Sequence, residues 1–275
     1  MPNIILTGLP RSGTTLVCHL LNKVPNAVAL HEPMQPNRLK RLPAEELVGS
    51  VAAFFESQRR RVLQEGKATS KASKGGVPPN PLGDAEFGGQ RQKFIDGMEI
   101  LVSNVDRQDF CLYIKHPSFF TACLPLLAPR MECFAVIRNP LSVLLSWRNA
   151  GMAVTNGRVP AAEAFDPDLS RLLDAQPDIL RRQLHLIDYF FRRFADYLPG
   201  RVVRYEDVIV TGGRALARVC AAAESLDEPL SSRNTRAVGK DAHAHKIANM
   251  LLEDDNACWS FYRREDVENL FRDPA

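Results

Sequence analysis

The chain has 275 residues, 45% of them apolar and 24% charged, with 35 Lys and Arg against 32 Asp and Glu and a net charge of +3. That composition excludes the disordered, collagen-like and coiled-coil classes, and the charge is too small to imply a nucleic-acid partner. No apolar run approaches the ~18 residues that span a bilayer, and the first charged residue is Arg11, so no transmembrane segment or signal peptide is expected and a cytoplasmic location is.

Asn3–Thr7 is the first predicted strand and Gly13–Lys23 the helix after it, with Ala27–Leu30 a weaker strand. A helix over Glu45–Gln64 leads into Glu65–Gln90, a stretch rich in Gly, Pro, Ser and Lys. This stretch is too long for a routine connection and is expected to be a flexible loop, or a lid over the active site, at about 65–90. A helix over Gln92–Val105 follows, then strands at Phe110–Ile114 and Glu132–Ile137 and a helix over Pro140–Asn149. The helix over Pro177–Leu198 has the clearest period, with Leu180, Leu184, Ile187, Phe191, Phe194 and Leu198 at steps of four and three. Arg201–Arg204 is the last predicted strand. Short, nearly continuous apolar runs alternating with helices predict an α/β fold, a doubly wound parallel sheet flanked by helices. No second domain boundary is visible, so residues 1–275 are expected to form one domain. Cys18, Cys111, Cys123, Cys133, Cys220 and Cys258 are scattered, with no C-x-x-C pair and no zinc spacing, and are expected as reduced structural thiols.

The strongest signal is the loop Gly8-Leu9-Pro10-Arg11-Ser12-Gly13-Thr14-Thr15 between the first strand and the first helix. A glycine-bounded loop at a helix N-terminus aims backbone N–H groups and the helix dipole at an anion. The G-x-x-x-x-G spacing matches the nucleotide P-loop, but Thr14 stands where the Walker lysine would reach the terminal phosphates. With a cation inside the loop as Arg11 instead, a different anion arrangement is expected.

Pro10 to Thr15 resembles the 5′-phosphosulfate loop of the sulfotransferases that use 3′-phosphoadenosine 5′-phosphosulfate (PAPS). The resemblance implies the P-loop-type sulfotransferase fold, PAPS as sulfuryl donor, 3′-phosphoadenosine 5′-phosphate (PAP) as product, and no metal. Arg138 at a strand end and Ser146 on the next helix resemble the family's 3′-phosphate site. Asn139 is suited to cap that helix and Pro140 to its first turn. Glu32, in Leu30-His31-Glu32-Pro33, resembles the general base of the tyrosyl-protein and several bacterial members; His31 is an alternative. Lys115, in Lys115-His116-Pro117, resembles the lysine that contacts the transferring group, and His116 is a further candidate base because cytosolic members place a His near that lysine. Arg204-Tyr205-Glu206-Asp207 resembles a recurrent segment of structural role. By the same resemblance Arg236, Lys240, His245 and Lys246 are placed where the family closes a C-terminal loop over the nucleotide. The catalytic set is therefore Glu32, Lys115, Arg11 and His116. The donor-binding set is Pro10, Arg11, Ser12, Gly13, Thr14, Thr15, Arg138, Ser146 and Lys240.

The expected reaction moves a sulfuryl group to a hydroxyl, or an amine, of a small-molecule, glycan, lipid or peptide acceptor. A P-loop kinase or NTPase is the competing enzyme class, with Glu206-Asp207 able to imitate its Mg²⁺-binding acid, and a nucleotide-binding scaffold without catalysis is the third. Arg59-Arg60-Arg61 with Lys67, Lys71 and Lys74 reads as a solvated charged face, or as one that favours an acidic acceptor or membrane headgroups. His243-Ala244-His245 lacks a third ligand in the sequence and reads as incidental.

Overall fold

The computed structural model describes residues 2–83, 94–234 and 241–270. Its centre is a five-stranded sheet built from β1 (Asn3–Gly8), β2 (Ala27–His31), β5 (Cys111–Lys115), β6 (Glu132–Ile137) and β7 (Val202–Arg204), in the order β2-β5-β1-β6-β7. Every pair in it is parallel. The α/β doubly wound expectation holds.

Apolar side chains alternate between the two faces of each strand, and both faces are covered. Ile5, Leu30, Ile114 and Ile137 point to one side, where α2 (Ala44–Glu65), α3 (Pro117–Leu127), α4 (Pro140–Arg148) and α7 (Ile179–Tyr197) supply the cover. Ile4, Leu6, Tyr113 and Val136 point to the other, against α1 (Thr14–Leu21) and the turns after α8 (Tyr205–Val210). Burial on both faces is what makes such strands read as continuous apolar runs. The C-terminal part adds α9 (Ala242–Glu253), which packs on α4, and α10 (Arg264–Glu268). No helix among the described residues is long and apolar enough to cross a membrane.

One expectation fails on a separate two-stranded element and another is narrowed by it. Residues 96–101, expected within a helix over Gln92–Val105, form strand β4 (Asp96–Leu101), paired antiparallel with β3 (Lys67–Ala72) in the register Lys67↔Leu101 to Ala72↔Asp96. The segment at about 65–90, expected as a loop or lid, therefore opens as a strand. Gly66, left-handed at φ 63°, ends α2 and lets the chain turn straight into β3. In Lys67–Ala72 small residues alternate with polar ones, and Ala68, Ser70 and Ala72 are fully buried. Small side chains let the hairpin lie close against β2, where Ser70 Oγ accepts from the His31 N–H at 2.9 Å. Such residues carry no apolar signal, and Gly97 opposite Lys71 costs about 1 kcal/mol in a helix, which favours the strand. Ser73 and Gly76 close a tight turn, and residues 77–83 then run over α1, with the Val77 carbonyl 2.8 Å from His19 Nδ1. Residues 84–90 lie outside the described residues. Helix α3 was not expected, because Pro125 interrupts its apolar run; Pro117 starts it and Phe119 and Phe120 bury it.

All six cysteines are free, five of them buried and Cys111 partly so. The basic run divides. Arg59 turns inward, donating to the Phe110 and Pro2 carbonyls and to Asn3, whereas Arg61 pairs with exposed Glu99.

Candidate active site

Register decides which residues meet. His31 lies opposite Lys115, Leu6 opposite Lys115 and Gly8 opposite Val136. The carboxyl ends of four strands therefore open on one edge of the sheet, where the chain order reverses about β1 and such sheets bind ligands. A cleft of about 670 Å³ lies there.

The Gly8–Thr15 loop is pinned from beneath. Ser12 turns its hydroxyl into the protein, to the Val136 carbonyl at 2.7 Å, and Trp147 Nε1 donates to the Pro10 carbonyl at 2.9 Å. Ser12, fully buried with its N–H donating to the Leu9 carbonyl, thus braces the loop from beneath and does not line the cleft. Gly13, at φ 92°, stands immediately before α1, and a Cβ there would lie 2.6 Å from Tyr205 Cδ2. On Gly8 it would lie 2.3 Å from the Val136 carbonyl oxygen. Only glycine fits either place. Arg11 itself is left-handed at φ 74°, a conformation that costs a non-glycine residue about 1 kcal/mol, and it faces the cleft.

Beside the loop, Arg138 emerges from β6, almost fully buried. Its Nε donates to Asn234 at 2.7 Å, Nη1 to the Arg11 carbonyl at 3.2 Å and Nη2 to the Arg233 carbonyl at 2.5 Å, and the guanidinium lies over the Tyr205 ring at 4.8 Å. Asn139 caps α4 as expected, accepting from the N–H groups of Leu141 and Ser142. Ser146, expected beside Arg138, instead accepts from Arg11 Nε at 3.2 Å. Glu206 takes the Asn139 N–H, Asn234 and the Tyr262 hydroxyl, so it braces the Arg138 side. Tyr205 is a cleft residue that sequence reasoning left as structural; its flat ring under the guanidinium has no sequence signature.

The opposite side holds a compact charge cluster. Glu32 sits just past β2, left-handed at φ 45°, its N–H donating to the Lys115 carbonyl at 2.8 Å. Its Oε1 accepts from Lys115 Nζ at 3.1 Å and lies 3.3 Å from His31 Nε2, and its Oε2 accepts from Lys71 Nζ at 2.6 Å. Burial works to raise its pKa, but Lys115, His31 and Lys71 together hold the carboxyl well below the usual carboxylate range. Burial drives His116 down to about 3 and His31, with Lys115 beside it, down to about 4; both rings are neutral at physiological pH. His116 Nε2 already accepts the Met34 N–H at 3.1 Å, so its proton is on Nδ1. His31 Nδ1 is buried without a hydrogen-bond partner among the described residues. Lys71 is the residue that sequence reasoning missed here, since it had been grouped with solvated charges.

Between the two sides the cleft continues along an apolar wall of Met34, Leu82, Ile95, Phe119, Val154 and Val159. Arg158, also on the wall, is engaged by Glu163 and Asp174. Of the sequence-predicted residues, Pro10, Arg11, Gly13, Thr14, Thr15, Glu32, Lys115, His116 and Arg138 all face this one cleft. Arg236 and Lys240 lie outside the described residues; His245 and Lys246 sit on α9 and His243 at its start, with no group of three metal-ligating side chains among the described residues.

The Gly8–Thr15 loop and Arg138 thus line one part of the cleft, with the Glu32 carboxylate and the buried Lys115 lining another. The sequence model of the Sulfotransferase family matches residues 2–228 of the chain. A comparison with curated proteins found no match.

Proposed function

The chain belongs to the sulfotransferase family, and on that premise we propose that it transfers a sulfuryl group from PAPS to the hydroxyl of an acceptor with an apolar body. The observation that carries the reading is the convergence of the Gly8–Thr15 loop, Arg138, Lys115 and Glu32 on a single cleft. The donor fits these residues chemically. The loop's backbone N–H groups and Arg11 suit a 5′-phosphosulfate, and the Arg138 fork suits a 3′-phosphate. PAPS, when bound, supplies the sulfuryl group that the acceptor oxygen takes, leaving as PAP.

The chain's own groups then have separate work. Lys115, buried at the end of β5, puts a fixed positive charge where negative charge collects, and a donor preorganised in this way is typically worth about 10²–10³ in rate. Glu32 receives the acceptor proton. A carboxylate this stabilised is a weak base, which suits a proton that becomes acidic only as its oxygen bonds to sulfur. The His116 lone pair on Nε2 is taken by the Met34 N–H, which supports Glu32 over His116 in this role. The apolar wall beside Glu32 supports an acceptor whose hydroxyl sits on an apolar frame, because burying apolar surface yields about 25 cal/mol per Å².

Calorimetric titration tests the donor. PAP is expected to bind without metal and far more tightly than ADP or ATP with Mg²⁺. A preference for ATP with Mg²⁺ overturns the reading in favour of a P-loop kinase.

A further inference from the structure

The carboxylate of Glu32 is held from both sides by lysines that arrive on different elements. Lys115 comes from the end of β5 and is fully buried, reaching Oε1 at 3.1 Å. Lys71 comes from the β3–β4 hairpin, outside the central sheet, and reaches Oε2 at 2.6 Å. Two cations on one carboxylate are more than neutralisation needs. In the reading above, Lys115 serves the transferring group, and its attention to Glu32 lapses when that group is present. Lys71 has no such competing duty, and its partner on the neighbouring strand, Gly97, leaves open space beside it.

Resting on that reading, we propose that Lys71 is the positioning residue of the base: it grips Oε2 so that Oε1 stays aimed at the acceptor while Lys115 turns to the sulfuryl group. The hairpin is built for this. Ser70, the preceding residue, ties β3 to the His31 N–H, and Gln58 Oε1 accepts from the Thr69 N–H at 2.8 Å, so the strand is anchored to β2 and α2 immediately before Lys71. Glu32 occupies a left-handed backbone position, a cost tolerated where surrounding contacts fix the residue. Lys67, four positions before Lys71 on the same face of the strand, pairs with exposed Glu99 at 2.8 Å and does not line the cleft. It is an internal control for the strand.

The groups that face Glu32 are Lys71 from β3, His31 from β2, Lys115 and His116 around the end of β5, and the Cys18 thiol of α1, which burial pushes up to about 12. The two lysines are the cations paired with its carboxylate. Removing Lys71 therefore raises the protonation midpoint of Glu32, since an opposite charge within ~4–6 Å lowers a carboxyl by about 1–3 units.

The test is a ¹³C NMR titration of the full chain labelled at glutamate side-chain carboxyls, with Glu32 assigned by its absence in Glu32→Gln. In Lys71→Met the Glu32 midpoint is expected to rise by at least about one pH unit, a roughly tenfold larger protonated fraction at any pH above both midpoints. Lys71→Arg is expected to restore the wild-type curve, and Lys67→Met to leave it unmoved. An unchanged Glu32 curve in Lys71→Met overturns the proposal. Should that variant fold poorly by circular dichroism, Lys71→Gln is titrated in its place and judged by the same criterion. PAP calorimetry on the same samples separates the readings. A failure to bind PAP defeats the donor assignment while the titration still decides Lys71. Normal PAP binding with an unmoved titration defeats Lys71 alone.

Discussion

The two sides of the cleft are built differently. Under the proposed reading the donor side is a continuous piece of the chain's first β–loop–α unit, braced by Trp147 and Val136 and completed by Arg138 at the next strand over. The Glu32 side is assembled from β2, β5 and a hairpin that lies outside the sheet altogether. The first side is a loop held by backbone contacts, and the second is held by paired side-chain charges. A site made of backbone tolerates few substitutions and changes little with pH; a site made of paired charges is tunable, one residue at a time.

The sharpest way to break that contrast is Glu32→Gln. Turnover is expected to fall by about 10²–10⁴, the span general bases supply, while the calorimetric affinity for PAP stays at the wild-type value. If PAP affinity falls in step with turnover, the two sides are not separable as described.

Arg138→Ala is the reciprocal change. Losing a charge-assisted fork costs about 1.5–3 kcal/mol, so PAP is expected to bind about 10- to 100-fold more weakly, with adenosine 5′-phosphosulfate much less affected. Equal losses for both ligands would remove Arg138 from the 3′-phosphate.

Gly13→Ala probes the backbone character of the donor side. The residue is left-handed and an added Cβ would meet Tyr205 at 2.6 Å, so a loss of about 1–3 kcal/mol in stability is expected, read from denaturant midpoints. A neutral result would show that the loop has slack the contacts do not reveal.

The pH dependence of stability belongs to the charged side. His31 and His116 are held neutral down to about 4 and about 3 by burial, whereas the unfolded chain protonates them near 6.5. Between those values the unfolded state binds more protons, so stability falls as pH falls from ~6.5. Glu32, depressed in the fold, adds its own loss only below its ordinary range. Thermal melts are expected to drop by roughly 5 °C between pH 7.5 and 5. A flat profile down to pH 5 would mean that the two rings ionise normally in the folded protein.

Legibility followed the same division. The Gly8–Thr15 loop, Arg138 and the capped α4 were visible because phosphate cradles and helix starts depend on local spacing, which a linear chain displays. Ser146 was visible as a residue but not as a partner of Arg11, since which guanidinium it meets depends on how α4 lies across the loop. Lys71 was visible only as one charge in a basic run, not as a partner of Glu32. It stands in Lys-Ala-Thr-Ser-Lys-Ala, whose small residues and nearby glycines have the composition of a loop, and its strand exists only because β4 pairs with it and β2 receives its buried face.

By itself, then, the sequence determined the doubly wound sheet, the anion loop and the order in which Glu32, Lys115 and Arg138 follow their strands, because apolar periodicity and turn chemistry act between near neighbours. The tertiary structure alone decided that His31, Lys115 and Lys71 converge on one carboxylate, that His116 spends its lone pair on Met34, and that an apolar wall runs beside them. Those outcomes are set by strand register and by contacts between distant segments, where a shift of one residue along a strand turns a side chain to the opposite face.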